Sequence, residues 1–355
     1  MDSPVPASPG PARLARGVAR QLLRPAVATA FGLAVAAGIL VVAEGLARLL
    51  WSPPAGAETR YPAVYFFIDG HGITKPRPGG RYPASSVRVA DGGAIYAVTY
   101  TIDASSRRVT PVSRAANRDT FLAFFGGSFT FGEGLEDDET IPFYAGELAP
   151  RCRPYNYGFH GHSAAEMLVR ARTGTLRREI VEPTGAFVYT FVDQHVSRMI
   201  GSMRLTSSWA GHRPHFVLTE AGNLEQRGDF TTGRPWLSRT YDILGASRLL
   251  QWRQVDVPPW IGERHLDFSA RLVAEARYEL ARQFPESRFV VVAYPGSRLS
   301  RRLAPLLAAR GVDLLDYSDL FDVSDPRYFL APEDRHPTAL ANRLLARLLV
   351  DDLGL

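Results

Sequence analysis

The sequence predicts an α/β protein: a flavodoxin-like, three-layer α/β/α domain with about five parallel strands, preceded by a transmembrane helix and a small β-rich lead-in. Three observations support this fold class. Short apolar runs end in glycine or polar turns, helical patterns separate these runs, and residues 26–43 contain no charged side chain. Because apolar strands buried on both faces are typical of a parallel sheet, the turns that follow them are expected to meet along one edge.

The composition bounds the function before any motif is considered. The chain has 355 residues, of which 46% are hydrophobic, and a net charge of +5. Residues 1–51 carry five arginines against Asp2 and Glu44, so most of that charge lies at the N-terminus and no nucleic-acid partner is expected. Cys152 is the only cysteine, which excludes an intramolecular disulfide and a thiolate metal cluster. No cofactor and no metal are expected.

The N-terminal residues predict a membrane anchor. Residues 1–24 form a basic tail, and residues 25–51 approach the ~20 apolar residues that a transmembrane helix needs, with Trp51 as an interfacial anchor. Arginines before the helix predict a cytoplasmic N-terminus, a single pass through the inner membrane, and a periplasmic or extracellular catalytic domain. The alternatives are a signal peptide cleaved near Ala55 and Ala57, and a buried core helix.

Two segments interrupt the α/β pattern. Residues 52–115 are rich in Pro, Gly, Tyr and Val and predict short strands, and no chemistry is indicated there. Residues 116–355 form the main domain, which contains an insertion at about 197–262 with a predicted hairpin at 215–230. The insertion holds four tryptophans, which either pack the added segment or line a cleft for a sugar or acyl group.

The stretch from Gly126 to Gly134 holds the candidate nucleophile. Thr120–Phe125 predicts a buried strand, and two glycines then place the hydroxyl of Ser128 at the carboxyl edge of the sheet. The alternative is a glycine turn whose serine only caps a helix. Further strands are predicted at 153–157, 186–192, 288–294 and 312–317, and helices at 137–148, after Ser163, at 266–284, at 299–310 and from Ala339.

A possible base and its orienting acid lie in the loop before the last helix. Asp334 and His336 are two residues apart, so an extended segment places both on the same side. A serine nucleophile needs a base that takes its proton and a group that holds this base in one tautomer. Ser128, His336 and Asp334 supply these three functions. Gly161 and Gln194 are the candidate donors to the developing oxyanion.

These residues resemble the SGNH or GDSL-type hydrolases, particularly the membrane-anchored bacterial members. The GDS block corresponds to Gly126-Gly127-Ser128, where glycine replaces the acid, and the second block to Asn156 and Gly161. The final block, Asp-x-x-His in many members, corresponds to Asp334-Arg335-His336-Pro337, although Glu333 has the more usual offset.

The third block, normally Gly-x-Asn-Asp, departs from the family. Here the strand ends in Val192-Asp193-Gln194-His195, and the expected asparagine is missing. Gln194 is the nearest substitute, because an ionised Asp193 only accepts hydrogen bonds. A shift of one residue would exchange the two, so the choice between Gln194 and Asp193 stays open.

The resemblance implies a serine esterase that removes acyl groups, above all acetyl, from an extracytoplasmic carbohydrate or lipid. An O-acyltransferase of exported polysaccharide would use the same triad, because a sugar hydroxyl can replace water in the second step. The altered third block also suits a non-catalytic SGNH domain that binds glycans. A metal site formed by His160, His162 and His195 is a further alternative.

Overall fold

The computed structural model describes residues 11–113 and 118–355. The first ten residues of the predicted tail and the predicted domain boundary at 115–116 lie outside this range. The helices are α1 (Pro11–Leu50), α2 (Ser128–Phe131), α3 (Ile141–Leu148), α4 (Ala164–Arg172), α5 (Leu176–Glu179), α6 (Gln194–Ile200), α7 (Met203–Leu205), α8 (Phe230–Gly233), α9 (Pro235–Gly245), α10 (Arg248–Trp252), α11 (Glu263–Gln283), α12 (Ser300–Ala308) and α13 (Ala339–Leu353).

The strands fall into one larger sheet and several small ones. They are β1 (Ala57–Arg60), β2 (Phe66–Ile68), β3 (Thr74–Pro76), β4 (Gly80–Arg88), β5 (Ala94–Ile102), β6 (Thr120–Phe125), β7 (Cys152–Asn156), β8 (Thr184–Phe191), β9 (Pro214–Leu218), β10 (Leu224–Asp229), β11 (Ser287–Ala293), β12 (Asp313–Asp316), β13 (Phe329–Ala331) and β14 (Asp334–Pro337).

The smaller of two compact units contains α1 and residues 246–255. The Glu44 carboxylate of α1 accepts hydrogen bonds from the Ser247 hydroxyl at 2.7 Å and from the backbone N–H groups of Arg248 and Leu249 at 3.0 and 3.1 Å. It therefore satisfies the N-terminal N–H groups of α10, which otherwise lack partners. Val27–Leu50 has a mean hydropathy of 2.1 and is long enough to cross a membrane.

The larger unit is built on a five-stranded parallel sheet with the order β12-β11-β8-β6-β7. The chain runs from β6 to β7 at one edge and then returns to the other side of β6 for β8. Ligands of such sheets bind where the strand order reverses, at the carboxyl ends of the strands. The predicted flavodoxin-like α/β class is confirmed, and this reversal lies between the turns after β6 and β8.

Helices cover both faces of the sheet and complete three layers. On one face, α4, α11 and α12 bury a core in which the rings of Phe121, Phe187 and Phe284 lie 4.9–5.4 Å apart. On the other face, α3 and α13 pack through Ile141, Leu345 and other apolar side chains. The two cores hold the strand ends in fixed positions.

The insertion contains the predicted hairpin, formed by β9 and β10. Of its tryptophans, Trp209 packs against Gly161 and lies 5.3 Å from the Arg213 guanidinium. Trp236 and Trp260 are 84% and 74% exposed. Trp209 therefore packs the added segment, which is one of the two roles expected for these tryptophans.

Candidate active site

The turn after β6 requires glycine at position 126. Gly126 has φ +151°, and a Cβ there would lie 2.2 Å from the Thr130 hydroxyl oxygen and 2.9 Å from the Thr190 carbonyl oxygen. No other residue fits this space or adopts this backbone conformation without strain. The sharp turn places Ser128 at the start of α2, where its side chain is nearly buried.

Ser128, His336 and Asp334 lie in one line of hydrogen bonds. His336 Nε2 is 2.8 Å from Ser128 Oγ, and His336 Nδ1 is 2.5 Å from Asp334 Oδ1. The same Asp334 oxygen accepts the backbone N–H of His336 at 3.1 Å. Both residues belong to β14, and the alternation of an extended strand brings their side chains together. Glu333 is exposed, whereas Asp334 is buried.

Glu133 is a second carboxylate beside the same imidazole. Its Oε2 lies 3.4 Å from His336 Nε2 and 2.7 Å from His160 Nδ1, and its side chain is buried. The Tyr61 hydroxyl donates to its Oε1 at 2.7 Å. Sequence reasoning missed Glu133, although it lies in the same glycine-rich stretch as Ser128.

The charges around His336 set its proton affinity. Burial alone lowers the pKa of His336, but the carboxylates of Glu133 and Asp334 outweigh burial and raise this pKa above its ordinary value. Burial alone raises the pKa of Glu133, but His160 and His336 outweigh it, and with the Tyr61 hydrogen bond they hold this pKa well below its ordinary value. Glu133 is therefore ionised at neutral pH.

The β-rich lead-in supports the site, although its sequence indicates no chemistry. Besides Tyr61, it contributes Arg108, whose guanidinium donates to the carbonyl oxygens of Phe131, Gly132 and Leu135 at 2.9, 2.5 and 2.5 Å. Arg108 is buried and stacks on the Tyr100 ring at 4.6 Å. These bonds fix the chain that follows the Ser128 turn.

The cavity at Ser128 has a volume of about 230 Å³ and contains one of the two predicted oxyanion donors. Gln194 lines it, together with His195, Arg198 and His336. Gly161 lies instead against the Trp209 ring, which the Cβ of a larger residue would meet at 2.5 Å. The structure thus brings Gln194, but not Gly161, into the Ser128 cavity.

Asp193, unlike Gln194, is not among the lining residues of the Ser128 cavity and is bonded to a neighbouring loop. Its carboxylate accepts hydrogen bonds from the Ser297 hydroxyl at 2.6 Å and from the backbone N–H groups of Arg298 and Leu299 at 2.9 and 3.2 Å. These bonds hold the loop between β11 and α12. The carboxylate can donate nothing to an oxyanion while ionised.

An adjoining cavity of about 280 Å³ has five aromatic residues among its fourteen lining residues, beside polar and charged ones such as Asp193 and Ser297. It shares Phe129, Val192, Gln194 and Arg335 with the Ser128 cavity. The aromatic residues that line only this second cavity are Tyr294, Phe321, Tyr328 and Phe329. Aromatic walls offer flat apolar surface with few polar groups, which suits an acyl chain or the face of a sugar ring.

The three histidines considered for a metal site are each engaged with other groups. His160 pairs with Glu133, His162 Nε2 lies 2.7 Å from the Thr74 carbonyl oxygen, and His195 Nδ1 lies 2.7 Å from the Tyr189 hydroxyl. In the part of the chain that the structure describes, no group of three His, Cys, Asp or Glu side chains is arranged to hold a metal ion.

Comparison with known proteins identifies similar solved structures only. No protein-family model and no curated protein matches the chain. A lipolytic protein of the G-D-S-L family from Veillonella parvula is 13% identical over 66% of this chain and 98% of that chain, with a TM-score of 0.36. An acetyl xylan esterase from Butyrivibrio proteoclasticus is 11% identical over 66% of this chain and 64% of that chain, with a TM-score of 0.37.

A third similar structure is an α/β hydrolase from the metagenome of Lake Arreo, 12% identical over 68% of this chain and 98% of that chain, with a TM-score of 0.35. The chain is similar to lipolytic proteins of the G-D-S-L family and to esterases, and its chemistry rests on its own residues.

Proposed function

We propose that this protein is a membrane-anchored serine esterase that hydrolyses acyl esters, above all acetyl esters, of an extracytoplasmic carbohydrate or lipid. The observation that carries the proposal is the continuous contact from Ser128 Oγ through His336 to the buried Asp334. Nucleophile, base and orienting acid are all within hydrogen-bond distance, which is the geometry that this chemistry requires.

In the proposed reaction, Ser128 Oγ attacks the ester carbonyl carbon while His336 Nε2 takes the hydroxyl proton. Asp334 holds Nδ1–H, so that Nε2 is the free acceptor, and it stabilises the imidazolium that forms. The tetrahedral intermediate expels the alcohol, which takes the proton from His336. Water then attacks the acyl carbon while His336 takes its proton, the bond between that carbon and Ser128 Oγ breaks, and Oγ takes the proton from His336 as the acid leaves.

Two cavities support the proposed substrate class. The Ser128 cavity accepts a small acyl group, and the aromatic cavity beside it accommodates a sugar ring or an apolar chain. The proposed location is a single pass of Val27–Leu50 through the inner membrane with the N-terminus in the cytoplasm, and the length and hydropathy of that helix support it. No nucleic-acid partner and no cofactor are part of this proposal.

The test uses the full-length protein in detergent with a series of p-nitrophenyl esters and a fluorophosphonate probe. We expect the wild type to hydrolyse acetyl esters and to bind the probe covalently, and Ser128→Ala to lose both, because the nucleophile is absent. The exposed Ser324→Ala serves as a matched control. Labelling that persists in Ser128→Ala would disprove this nucleophile, and an inert wild type would favour a glycan-binding domain.

The O-acyltransferase alternative is favoured by one observation, the second cavity that adjoins the nucleophile. An acceptor sugar bound there would compete with water for the acyl-enzyme. Adding an oligosaccharide to the same assay distinguishes the two reactions. Acylated oligosaccharide formed at the expense of free acid would assign transfer, and unchanged release of acid would assign hydrolysis.

A further inference from the structure

Two departures from the family pattern, Gly127 in the first block and the missing asparagine in the third, lie at one place in the structure. The space that a Cβ of Gly127 would fill is 2.7 Å from Arg198 Nη1 and 3.1 Å from His195 Nε2. Glycine at 127 therefore leaves a narrow gap next to both nitrogen atoms, beside the peptide that carries the Ser128 N–H. A larger side chain would crowd them.

His195 is buried and only half satisfied. It is 1% exposed, its Nδ1 lies 2.7 Å from the Tyr189 hydroxyl, and its Nε2 has no hydrogen-bond partner among residues 11–113 and 118–355. A buried polar atom without a partner costs about 1–3 kcal/mol, so such atoms commonly have a functional cause. His195 lines the same cavity as Ser128 and His336.

The Tyr189 hydroxyl determines which nitrogen of His195 carries the proton. Burial raises the pKa of Tyr189, so its hydroxyl stays protonated, and its oxygen accepts a hydrogen bond from the backbone N–H of Ala164. The hydroxyl hydrogen then points to His195 Nδ1, and the proton of the neutral ring lies on Nε2. Burial, reinforced by the charge of Arg198, holds the pKa of His195 well below its ordinary value and keeps the ring neutral.

Arg198 adds a fixed positive charge at the same place. Its Nη1 donates to the His162 carbonyl oxygen at 3.0 Å, which holds the guanidinium in position. Burial lowers the pKa of Arg198 to about 10, so it remains a cation at neutral pH. A cation in a largely desolvated site stabilises a developing negative charge more strongly than it would in water.

We infer that His195 is a catalytic residue whose Nε2–H donates to the oxyanion of the tetrahedral intermediate, in place of the asparagine of the third block, with Arg198 supporting it electrostatically. This inference rests on the proposed esterase function. Glycine at 127 is then part of the same change, because a side chain there would crowd both the imidazole of His195 and the guanidinium of Arg198.

Ser128 Oγ forms a bond to the carbonyl carbon, its proton passes to His336 Nε2, and the electron pair of the C=O double bond moves onto oxygen. That oxygen accepts the hydrogen bond from His195 Nε2–H. When the double bond re-forms, the alcohol leaves with the proton from His336, and His195 keeps its own proton throughout.

The test compares His195→Leu with His195→Gln in the full-length enzyme, using an acetyl ester. Leucine removes the donor, and we expect kcat to fall roughly 10²–10³-fold with little change in KM, because the lost bond exists only in the transition state. Glutamine places an amide N–H near the position of Nε2, so kcat of His195→Gln should be about tenfold or more above that of His195→Leu. The exposed His212→Gln is the matched control.

Gly127→Ala is the second test variant, for use if His195→Leu does not fold. Gly127→Ala needs no unusual backbone angle, since Gly127 has φ −87°, but its Cβ enters the space beside Nε2 and Arg198. We expect a comparable loss of kcat and weaker binding of a boronic acid that forms a tetrahedral adduct with serine. Full activity of either folded variant would overturn the inference.

Gln194→Ala examines the competing donor in the same assay. A loss of kcat in Gln194→Ala combined with an active His195→Leu would assign the donor to Gln194 and overturn the inference. Absence of turnover and of fluorophosphonate labelling in the wild type would overturn the proposed function and this inference with it. An active wild type with an active His195→Leu overturns this inference alone.

Discussion

Two carboxylates flank the imidazole of His336, and they differ in the nitrogen that they face. Asp334 lies 2.5 Å from Nδ1, and Glu133 lies 3.4 Å from Nε2, the nitrogen that also contacts Ser128. A carboxylate at Nδ1 fixes the tautomer and leaves Nε2 free as the base. A carboxylate beside Nε2 raises the proton affinity of the ring but can compete with the leaving group for its proton. Their positions therefore give two acids of similar chemistry different effects.

The hydrogen-bond partners of Glu133 limit that competition. His160 and Tyr61 already occupy its two oxygens at 2.7 Å each, shorter contacts than the 3.4 Å to His336. Burial raises the pKa of Tyr61, so its hydroxyl remains protonated and donates to the carboxylate. Glu133 thus acts on His336 mainly through its charge, whereas Asp334 acts through a direct hydrogen bond.

The largest effect is expected for Asp334→Asn. An asparagine amide that donates to Nδ1 would force the proton onto Nε2 and remove the proposed base, so kcat should fall on the order of 10⁴-fold. Steady-state kinetics on an acetyl ester measure this loss, beside the exposed Asp242→Asn as control. A loss below tenfold would show that Glu133 can replace Asp334, and it would contradict the assignment of different effects to the two carboxylates.

A smaller and different effect is expected for Glu133→Gln. Since Glu133 helps to raise the pKa of His336, its neutral analogue should lower that pKa. His336 must be unprotonated to act as the base, so the acidic limb of the kcat/KM profile should move to lower pH. At neutral pH the loss of activity should be much smaller than for Asp334→Asn.

The pH profile of kcat/KM for wild type, Glu133→Gln and the exposed Glu286→Gln checks this shift. An acidic limb that stays in place in Glu133→Gln would mean that the carboxylate only fills space between His160 and His336. A limb that moves to higher pH would contradict the sign of the charge effect.

The two acids also show how far the sequence predicts this site. Asp334 was found because it lies two residues from His336 in an extended segment, where alternation alone places both side chains together. The fold class was likewise predictable, because apolar strands and the turns that follow them are local patterns. The helix predicted after Ser163 is present for the same reason, because Ser163 and Glu166 form a capping box at the start of α4.

Glu133 could not be found in this way, because its partners come from distant parts of the chain. Tyr61 lies in the lead-in, and His160 lies in the turn after β7. No local spacing relates these residues to His336, and only the packing of the lead-in on the strand ends unites them. The sequence signal for Glu133 is its position between two glycines in the stretch that also contains Ser128.

The smallest effect is expected for Tyr61→Phe, which removes one donor to Glu133 and leaves both carboxylates in place. The charge beside His336 persists, so kcat/KM and its acidic limb should change little. A hydrogen bond to a charged group is worth about 1.5–3 kcal/mol, so the free energy of unfolding should fall by roughly that amount.

Urea denaturation in detergent measures this loss, with the exposed Tyr278→Phe as the matched control. Unchanged stability would mean that water takes the place of the Tyr61 hydroxyl at the carboxylate. A contrary result would be an acidic limb of the kcat/KM profile that shifts in Tyr61→Phe as far as in Glu133→Gln. That result would mean that Tyr61 controls the charge of Glu133, and not only the stability of the protein. With stability lost and the pH profile kept, the lead-in holds Glu133 in place, and the carboxylate itself sets the proton affinity of His336.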